Sequence, residues 1–253
     1  MNLKKIIIWF LAILVTIFIL WFFYNKDTYN HSVAIKNQYK SFDAFKNDSL
    51  TDLPLLRFEA KPSKRNFFVI FIPGDGGWRD VIKTVSKDLA SKGINVVGIN
   101  TIPYFSKYKS AKQVAKDMQR IINNFSKVWG IDSVVIGGYS LGAEILPFVY
   151  NQLDSPYKQR VIKILLLAPT VKANFKVNPV YYYNSKYGKL VMPELLKIEP
   201  SKTLTICGKS NESLYFQLIK HKNYPIIKVT YGHQFTGHFK DISEIISRQL
   251  LAL

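Results

Sequence analysis

The sequence predicts an α/β fold in which strands and helices alternate around a mostly parallel, doubly wound sheet. Most of the predicted strands are continuous apolar runs, such as NFFVIFI at 66–72, which are typical of strands covered on both faces. The segments between them carry apolar residues at helical spacing and are bounded by capping residues and glycines. Because the connections are short, we expect no large cap domain.

The composition narrows the class of protein. The chain has 253 residues, of which 48% are hydrophobic, enough for one folded domain and a tail. Its one cysteine, Cys207, excludes an internal disulfide and a cysteine metal cluster. The four histidines show no metal-binding spacing, so we expect no metal and no cofactor.

The formal net charge of +18 favours an anionic partner, either an anionic lipid surface or nucleic acid. The lysines are spread along the chain rather than gathered in one arm, and no nucleic-acid recognition motif is present. Nucleic acid is therefore the less favoured partner.

The N-terminal segment predicts a transmembrane helix. Lys4 and Lys5 precede an apolar run from Ile6 to Tyr24 that only Thr16 interrupts. As a helix this run is about 28 Å long, close to the thickness of the hydrocarbon core. The positive charges place the N-terminus in the cytoplasm and the rest of the chain across the membrane. A cleaved signal peptide is the alternative, but the aromatic cluster at 21–24 offers no small residues for cleavage.

These features predict three regions. Residues 1–24 form a single-pass signal anchor, residues 25–52 form a tether or peripheral strands, and residues 53–253 form the α/β domain. The expected location is the bacterial inner membrane, with the α/β domain in the periplasm.

The elements of the domain follow in order. Strands are expected at 53–59, 66–72, 94–99, 133–137, 161–168, 204–207 and 226–230. Helices are expected near 78–89, 110–125, 141–153 and 239–250. Pro147 lies inside the third of these helices and should remove one hydrogen bond and kink it. The widest irregular stretch, 170–198, contains four tyrosines and is expected to overhang the carboxyl edge of the sheet.

A nucleophile motif organises the predicted site. Gly138-Tyr139-Ser140-Leu141-Gly142 has the G-x-S-x-G pattern between an apolar strand and a helix. A serine on such a turn projects out of the sheet, and the flanking glycines leave room for the strained backbone. We therefore interpret Ser140 as a nucleophile and the fold as that of an α/β-hydrolase.

The expected partners of the serine follow the chain order Ser, acid, His. His233 comes directly after the last strand, in a glycine-led loop, and is the predicted base; His238 is the alternative. Glu212 is the only carboxylate in the loop after strand 204–207 and is the predicted acid, with Asn211 as a neutral alternative.

An oxyanion hole and substrate contacts complete the prediction. The backbone N–H of Leu141 should supply one donor, and a second should come from Asp75 or Gly76 in the glycine-rich loop at 74–77. Asp75 could also meet an ammonium group of the substrate. The predicted substrate-binding residues are Asp75, Trp78, Tyr139 and Tyr182.

Three blocks of this sequence resemble a known family. PGDGGWRD at 73–80 resembles the S-G-D-G-G-W-R-D block of the bacterial virulence-protein family VirJ/AcvB. GYSLGAEILPF at 138–148, which includes Pro147, resembles that family's G-Y-S-F-G-A-D-V-L-P-F. GHQFTG at 232–237 is similar to its G-H-H-F-D-G. The resemblance covers about residues 53–253.

The resemblance implies a periplasmic α/β-hydrolase. AcvB-type members hydrolyse the aminoacyl ester of lysyl-phosphatidylglycerol, and VirJ-type members are linked to type IV secretion. Carried over by position, Ser140 is the nucleophile, His233 the base and Glu212 the acid, where the family more often has Asp. The implied function is a membrane-anchored serine esterase acting on aminoacylated phosphatidylglycerol; the alternative is a non-catalytic adaptor of a type IV secretion system. The implied partners are an aminoacylated anionic phospholipid, the inner membrane and secretion-system proteins.

Overall fold

A seven-stranded sheet lies at the centre of the fold. The computed structural model describes Thr16, residues 50–78, 80–177 and 188–209, Gln217 and residues 223–253. The sheet strands are β1 (Leu55–Phe58), β2 (Phe67–Ile72), β3 (Val96–Ile99), β4 (Ser133–Tyr139), β5 (Val161–Leu167), β8 (Thr203–Cys207) and β9 (Ile226–Lys228). Two short strands, β6 (Lys172–Ala173) and β7 (Lys189–Leu190), form a separate antiparallel pair.

The order across the large sheet is β1-β3-β2-β4-β5-β8-β9. Only the edge strand β1 runs antiparallel to its neighbour; the other pairs are parallel. Every residue of β2 is buried, as its apolar sequence predicts. In the register of β2 and β4, Ile72 lies opposite Gly138, so the loops that follow these two strands meet at the same edge. The predicted mostly parallel sheet is confirmed.

Helices cover both faces of this sheet. They are α1 (Asp80–Ser91), α2 (Thr101–Tyr104), α3 (Ala111–Trp129), α4 (Leu141–Asn151), α5 (Ser155–Arg160), α6 (Met192–Leu195) and α7 (Phe239–Leu251), with a 3₁₀ helix at Pro200–Lys202. The predicted capping box is present at the start of α3, where the Ser110 side chain accepts from the N–H of Gln113 and the Gln113 side chain accepts from Ser110. Gly130 ends this helix with a φ of 65°.

Two helices differ from expectation. Helix α1 begins at Asp80 rather than near residue 78, because Trp78 is buried in the core and stacks on Phe58 with ring centroids 5.7 Å apart. Helix α4 continues through Pro147 to Asn151. Residues 141–150 of α4 are all buried, so packing stabilises the helix although Pro147 lacks an N–H.

The predicted anchor at 1–24 lies outside the described residues except for Thr16, and so does the predicted tether at 25–52 except for its last three residues. Of these, Leu50 is buried and Asp52 pairs with Arg120 of α3. They belong to the compact unit that contains the sheet and begins near Asp48. Within the described part of the chain, no helix is both long and apolar enough to cross a bilayer.

Candidate active site

Ser140 lies on the sharp turn between β4 and α4. Its φ of 50° and ψ of −117° fall in a sparsely populated region for a residue with a side chain. Such a conformation costs on the order of 1–3 kcal/mol and persists only where the surroundings hold it. Here the Ser140 N–H donates to the carbonyl of Leu167 and its carbonyl accepts from the N–H of Glu144, both at 2.9 Å. The strained turn therefore holds Ser140 at the carboxyl edge of the sheet.

The two glycines of the motif are required by close backbone approach. A Cβ on Gly138 would lie 2.3 Å from the carbonyl carbon of Gly142. A Cβ on Gly142 would lie 1.8 Å from the carbonyl oxygen of Ile72. These separations are far below contact distance, so only glycine allows α4 to pack against β2 and β4 at this point.

The predicted base faces the serine. The Oγ of Ser140 and the Nε2 of His233 are 2.9 Å apart, within hydrogen-bonding distance. His233 lies on the loop between β9 and α7, which is anchored by Phe235, a fully buried residue with a φ of 52°. The phenol of Tyr139 donates to the backbone carbonyl of His233 at 3.1 Å. The residue before the nucleophile thus holds the histidine loop.

This contact predicts that Tyr139→Phe lowers kcat about fivefold and leaves KM nearly unchanged, because it removes one hydrogen bond of ~1 kcal/mol that positions His233. Hydrolysis of a soluble p-nitrophenyl ester measures both constants. Tyr224→Phe is the matched control, since the Tyr224 hydroxyl donates to the carbonyl of Ile198 at 2.8 Å, away from the serine. Equal kcat values for the two variants would contradict the role of Tyr139.

Burial lowers the pKa of His233 below its usual value of 6.5, because the charged imidazolium is poorly solvated there. The nearby charge of Asp75 acts in the opposite direction and raises it. The net shift keeps the imidazole neutral at neutral pH. A neutral ring can accept the proton of Ser140.

In a plot of kcat/KM against pH, the fall in activity on the acid side (the acid limb) is therefore expected at a pH below 6.5, since activity is lost when His233 becomes protonated. Asp75→Asn removes the charge that favours the imidazolium, so the pKa of His233 falls and the limb moves to still lower pH. A pH profile with a small uncharged ester measures this shift. Movement of the limb toward higher pH in the variant would contradict the assignment.

The loop from Gly74 to Gly77 lies against the elbow. A Cβ on Gly74 would be 3.3 Å from the Cβ of Ser140. The carbonyl of Gly74 accepts from the N–H of Gly77 at 3.1 Å and from the hydroxyl of Thr101. Within the described residues, the N–H groups of Asp75 and Gly76 donate to no acceptor. The N–H of Leu141, the first residue of α4, also has no acceptor within its helix.

These parts surround a small open pocket of about 70 Å³. Five of the residues predicted for the site line it: Asp75, Gly76, Tyr139, Ser140 and His233. The other lining residues are Gly74, Gly77, Val81, Gln234, Thr236 and Phe239. The last four were not predicted for the site, although the position of Gln234 and Thr236 beside His233 is a signal that could have indicated these two.

Other predicted residues lie elsewhere. The structure places Trp78 in the core beneath β3, with its ring in the space that a side chain on Gly98 would occupy. His238, the alternative base, begins α7; its Nδ1 lies 2.9 Å from Asp241, and its ring stacks on Tyr231. Tyr182, Glu212 and the alternative acid Asn211 lie outside the described residues.

A buried carboxylic acid lies behind the nucleophile. The pKa of Glu144 is raised to about 7, mainly by burial and to a smaller extent by the charge of Asp75. The hydroxyl of Thr170 donates to Glu144 at 2.7 Å and partly offsets this effect. The sequence signal for this residue was its position four after Ser140, which places both on one side of a helix. In the described ranges no group of three metal-ligating side chains occurs.

Solved structures share this architecture. Est1E from Butyrivibrio proteoclasticus is 14% identical, with a TM-score of 0.54 over 78% of this chain and 92% of that one. XC6422 from Xanthomonas campestris, described as an α/β serine hydrolase without lid, is 13% identical, with a TM-score of 0.53 over 77% and 85%. An α/β serine hydrolase homologue from Coxiella burnetii is 18% identical, with a TM-score of 0.53 over 78% and 90%.

These similarities confirm the predicted α/β-hydrolase fold. A search of curated proteins finds no match to the sequence. The sequence profile of one family matches residues 66–252, a range that contains the Gly74–Gly77 loop, the elbow and the histidine loop. On this match, the chain belongs to the bacterial virulence protein (VirJ) family.

Proposed function

We propose that this chain is a serine hydrolase that cleaves the aminoacyl ester of aminoacylated phosphatidylglycerol, such as lysyl-phosphatidylglycerol. The observation that carries the proposal is the contact of 2.9 Å between Ser140 Oγ and His233 Nε2 on a strained elbow. The loop that lies against that serine carries the N–H groups of Asp75 and Gly76, which donate to no acceptor among the described residues. A nucleophile, a neutral base and donors for an oxyanion are the parts that acyl transfer requires.

In the first half of the proposed reaction, Ser140 Oγ attacks the ester carbonyl carbon while His233 Nε2 takes the hydroxyl proton. The N–H groups of Leu141 and of Asp75 or Gly76 stabilise the negative charge on the carbonyl oxygen. The C–O bond to the lipid then breaks, and His233 returns the proton to the departing glycerol oxygen. The products of this half are an aminoacyl-serine and phosphatidylglycerol.

In the second half, His233 takes a proton from water, and the resulting hydroxide attacks the acyl carbon of the aminoacyl-serine. The bond to Ser140 Oγ breaks, and His233 protonates that oxygen. The free amino acid leaves, and the enzyme returns to its starting state. Glu212 is proposed to orient His233 during both halves.

The choice of substrate is supported by the charge of the pocket and by the family resemblance. Asp75 lines the pocket together with Ser140 and His233. In an aminoacyl ester the α-ammonium group is one carbon from the carbonyl that Ser140 attacks. A carboxylate beside the nucleophile can therefore meet that ammonium group, as Asp75 is proposed to do.

The membrane location is part of the proposal. An anchor formed by residues 1–24 would keep the domain close to a lipid substrate, and the charges of Lys4 and Lys5 favour a cytoplasmic N-terminus. The domain is then exposed on the periplasmic side of the inner membrane. Protease treatment of intact spheroplasts should degrade the domain; protection there and digestion only after lysis would contradict this orientation.

The substrate is tested with the purified full chain and radiolabelled lysyl-phosphatidylglycerol in detergent micelles. We expect release of free lysine by the native chain and none by Ser140→Ala. A cell that lacks the protein should accumulate the aminoacylated lipid, and the Ser140→Ala chain should not restore the normal level. If the native chain hydrolyses a simple ester but leaves this lipid intact, the hydrolase assignment stands and the substrate is wrong.

Retention of all cellular function by Ser140→Ala would instead favour the non-catalytic adaptor. The observation that supports this alternative is the membership of a virulence-protein family.

A further inference from the structure

Exposed apolar side chains gather on the loops at the carboxyl edge of the sheet. Ile102 of α2, Tyr108 beyond it and Leu190 of β7 are 40%, 59% and 57% exposed. Isolated exposed apolar residues are ordinary, but these three lie on loops that follow β3 and β5 and so share the edge that carries Ser140. Ile102 also lies against the Gly74–Gly77 loop, since a Cβ on Gly77 would be 2.8 Å from its Cδ1.

Backbone contacts join these loops into one surface. The N–H of Lys109 donates to the carbonyl of Phe175 at 3.1 Å, and the N–H of Val177 donates to the carbonyl of Phe105 at 2.9 Å. The β6–β7 pair extends the same surface, with Leu190 opposite Lys172 in its register. The ring of Phe175 packs edge-on against Phe148 of α4. The exposed side chains are therefore held on a structured rim.

The same rim is basic. Lys107, Lys176 and Lys189 are exposed and form no ion pair with a described carboxylate. The Nζ of Lys189 lies 6.0 Å from the ring centroid of Phe175, which places this charge beside the apolar side chains. Two acids on helices that adjoin the rim already have partners, since Asp117 of α3 pairs with Arg120 and Glu194 of α6 pairs with Lys197.

We infer that this rim, defined by Ile102, Lys107, Tyr108, Lys176, Lys189 and Leu190, docks the domain on an anionic lipid bilayer. Lysines next to exposed apolar and aromatic side chains match a surface with anionic headgroups above acyl chains. Docking by this rim turns the opening beside Ser140 toward the lipid. The inference does not depend on the substrate, because a chain that hydrolyses no aminoacylated lipid could dock in the same way.

The test uses the full chain reconstituted into vesicles, labelled with a polarity-sensitive fluorophore at Tyr108→Cys or Leu190→Cys. The native Cys207 is fully buried, and burial raises the pKa of its thiol to about 11, so it should react slowly with the label. The matched control is Val128→Cys, which is 49% exposed and also follows a lysine. Val128 lies near the end of α3 that precedes β4, at the opposite edge of the sheet.

In vesicles that contain phosphatidylglycerol, emission from positions 108 and 190 should shift to the blue and be quenched by lipids with a nitroxide on the acyl chain. Position 128 should show neither effect. With vesicles of phosphatidylcholine alone, positions 108 and 190 should show neither effect as well. Reversing Lys107, Lys176 and Lys189 to Glu should weaken docking by at least about fivefold for each lysine, since each change removes an attraction of about 1 kcal/mol and adds a repulsion. Lys127→Glu, beside the control position, should have no effect.

The inference is overturned if positions 108, 190 and 128 respond alike, or if neutral and anionic vesicles give the same signal. A response to single-stranded DNA without a response to anionic vesicles would also overturn it and would make the rim a nucleic-acid surface. Hydrolysis of a soluble ester by the triple-lysine variant shows that the variant is folded. Loss of docking with that activity retained separates the rim from the catalytic site.

Discussion

Ser140→Ala is expected to lower hydrolysis of a p-nitrophenyl ester by at least about 10⁴-fold, because it removes the oxygen that is placed beside His233 to attack the ester carbonyl. The backbone turn, its hydrogen bonds to Leu167 and Glu144, and the packing of α4 do not depend on Oγ. The variant should therefore unfold at nearly the same temperature as the native chain. Steady-state kinetics and thermal unfolding measure the two quantities.

Ser91→Ala is the matched control for this prediction. The Ser91 hydroxyl is exposed and donates to the carbonyl of Asp88, at the end of α1. Its removal should leave kcat/KM unchanged. If Ser140→Ala retains the activity of Ser91→Ala, the measured hydrolysis does not use this elbow.

Gly142→Ala is expected to destabilise the fold by about 3 kcal/mol or more, because a Cβ there would lie 1.8 Å from the carbonyl oxygen of Ile72. The Cα that carries this Cβ lies in α4 and the oxygen belongs to β2, so neither can move away without loss of packing. Urea unfolding monitored by circular dichroism measures the free energy of unfolding. If the Gly142→Ala chain does not accumulate in folded form, the loss of stability is larger still and agrees with the prediction.

Gly130→Ala separates the steric effect from the cost of replacing a glycine. Gly130 has a φ of 65°, and a Cβ added there would meet nothing within 4 Å. Only backbone strain remains, about 1–2 kcal/mol. Equal destabilisation by the two substitutions would contradict the close approach of α4 to β2.

The parts of this fold that depend on local pattern could be predicted from the sequence. An apolar run such as 66–72 predicts a strand covered on both faces, and β2 is buried at every residue. The elbow could be predicted because its strand, serine and glycines are contiguous in the chain. His233 could be placed because a glycine-led loop after the last strand reaches the edge where Ser140 lies.

Contacts between distant parts of the chain could not be predicted in this way. Trp78 follows the glycine-rich loop directly, yet its ring packs over Gly98 and not in the pocket. The bond between the Tyr139 hydroxyl and the carbonyl of His233 joins residues 94 positions apart. Such contacts depend on how the loops fold over the sheet, and no periodicity in the sequence encodes that.

The buried acid Glu144 also required the structure. A glutamate in the first turn of a helix ordinarily faces solvent and stabilises the helix dipole. In this chain the first ten residues of α4 are buried, so the same position becomes a carboxyl group whose pKa is raised to about 7. Between about pH 4.5 and 7, Glu144 is protonated in the folded chain but ionised in the unfolded chain. The free energy of unfolding should therefore fall as the pH rises through this range.

The most direct test of the central claim is labelling of the full chain with a fluorophosphonate probe, followed by mapping of the modified residue. Ser140 should be the labelled residue in the native chain, His233→Ala should slow the labelling at least about 10²-fold, and Ser140→Ala should abolish it. No labelling of the folded native chain, or labelling of another residue at the same rate in all three chains, would contradict the account of Ser140 and His233 as a nucleophile and its base.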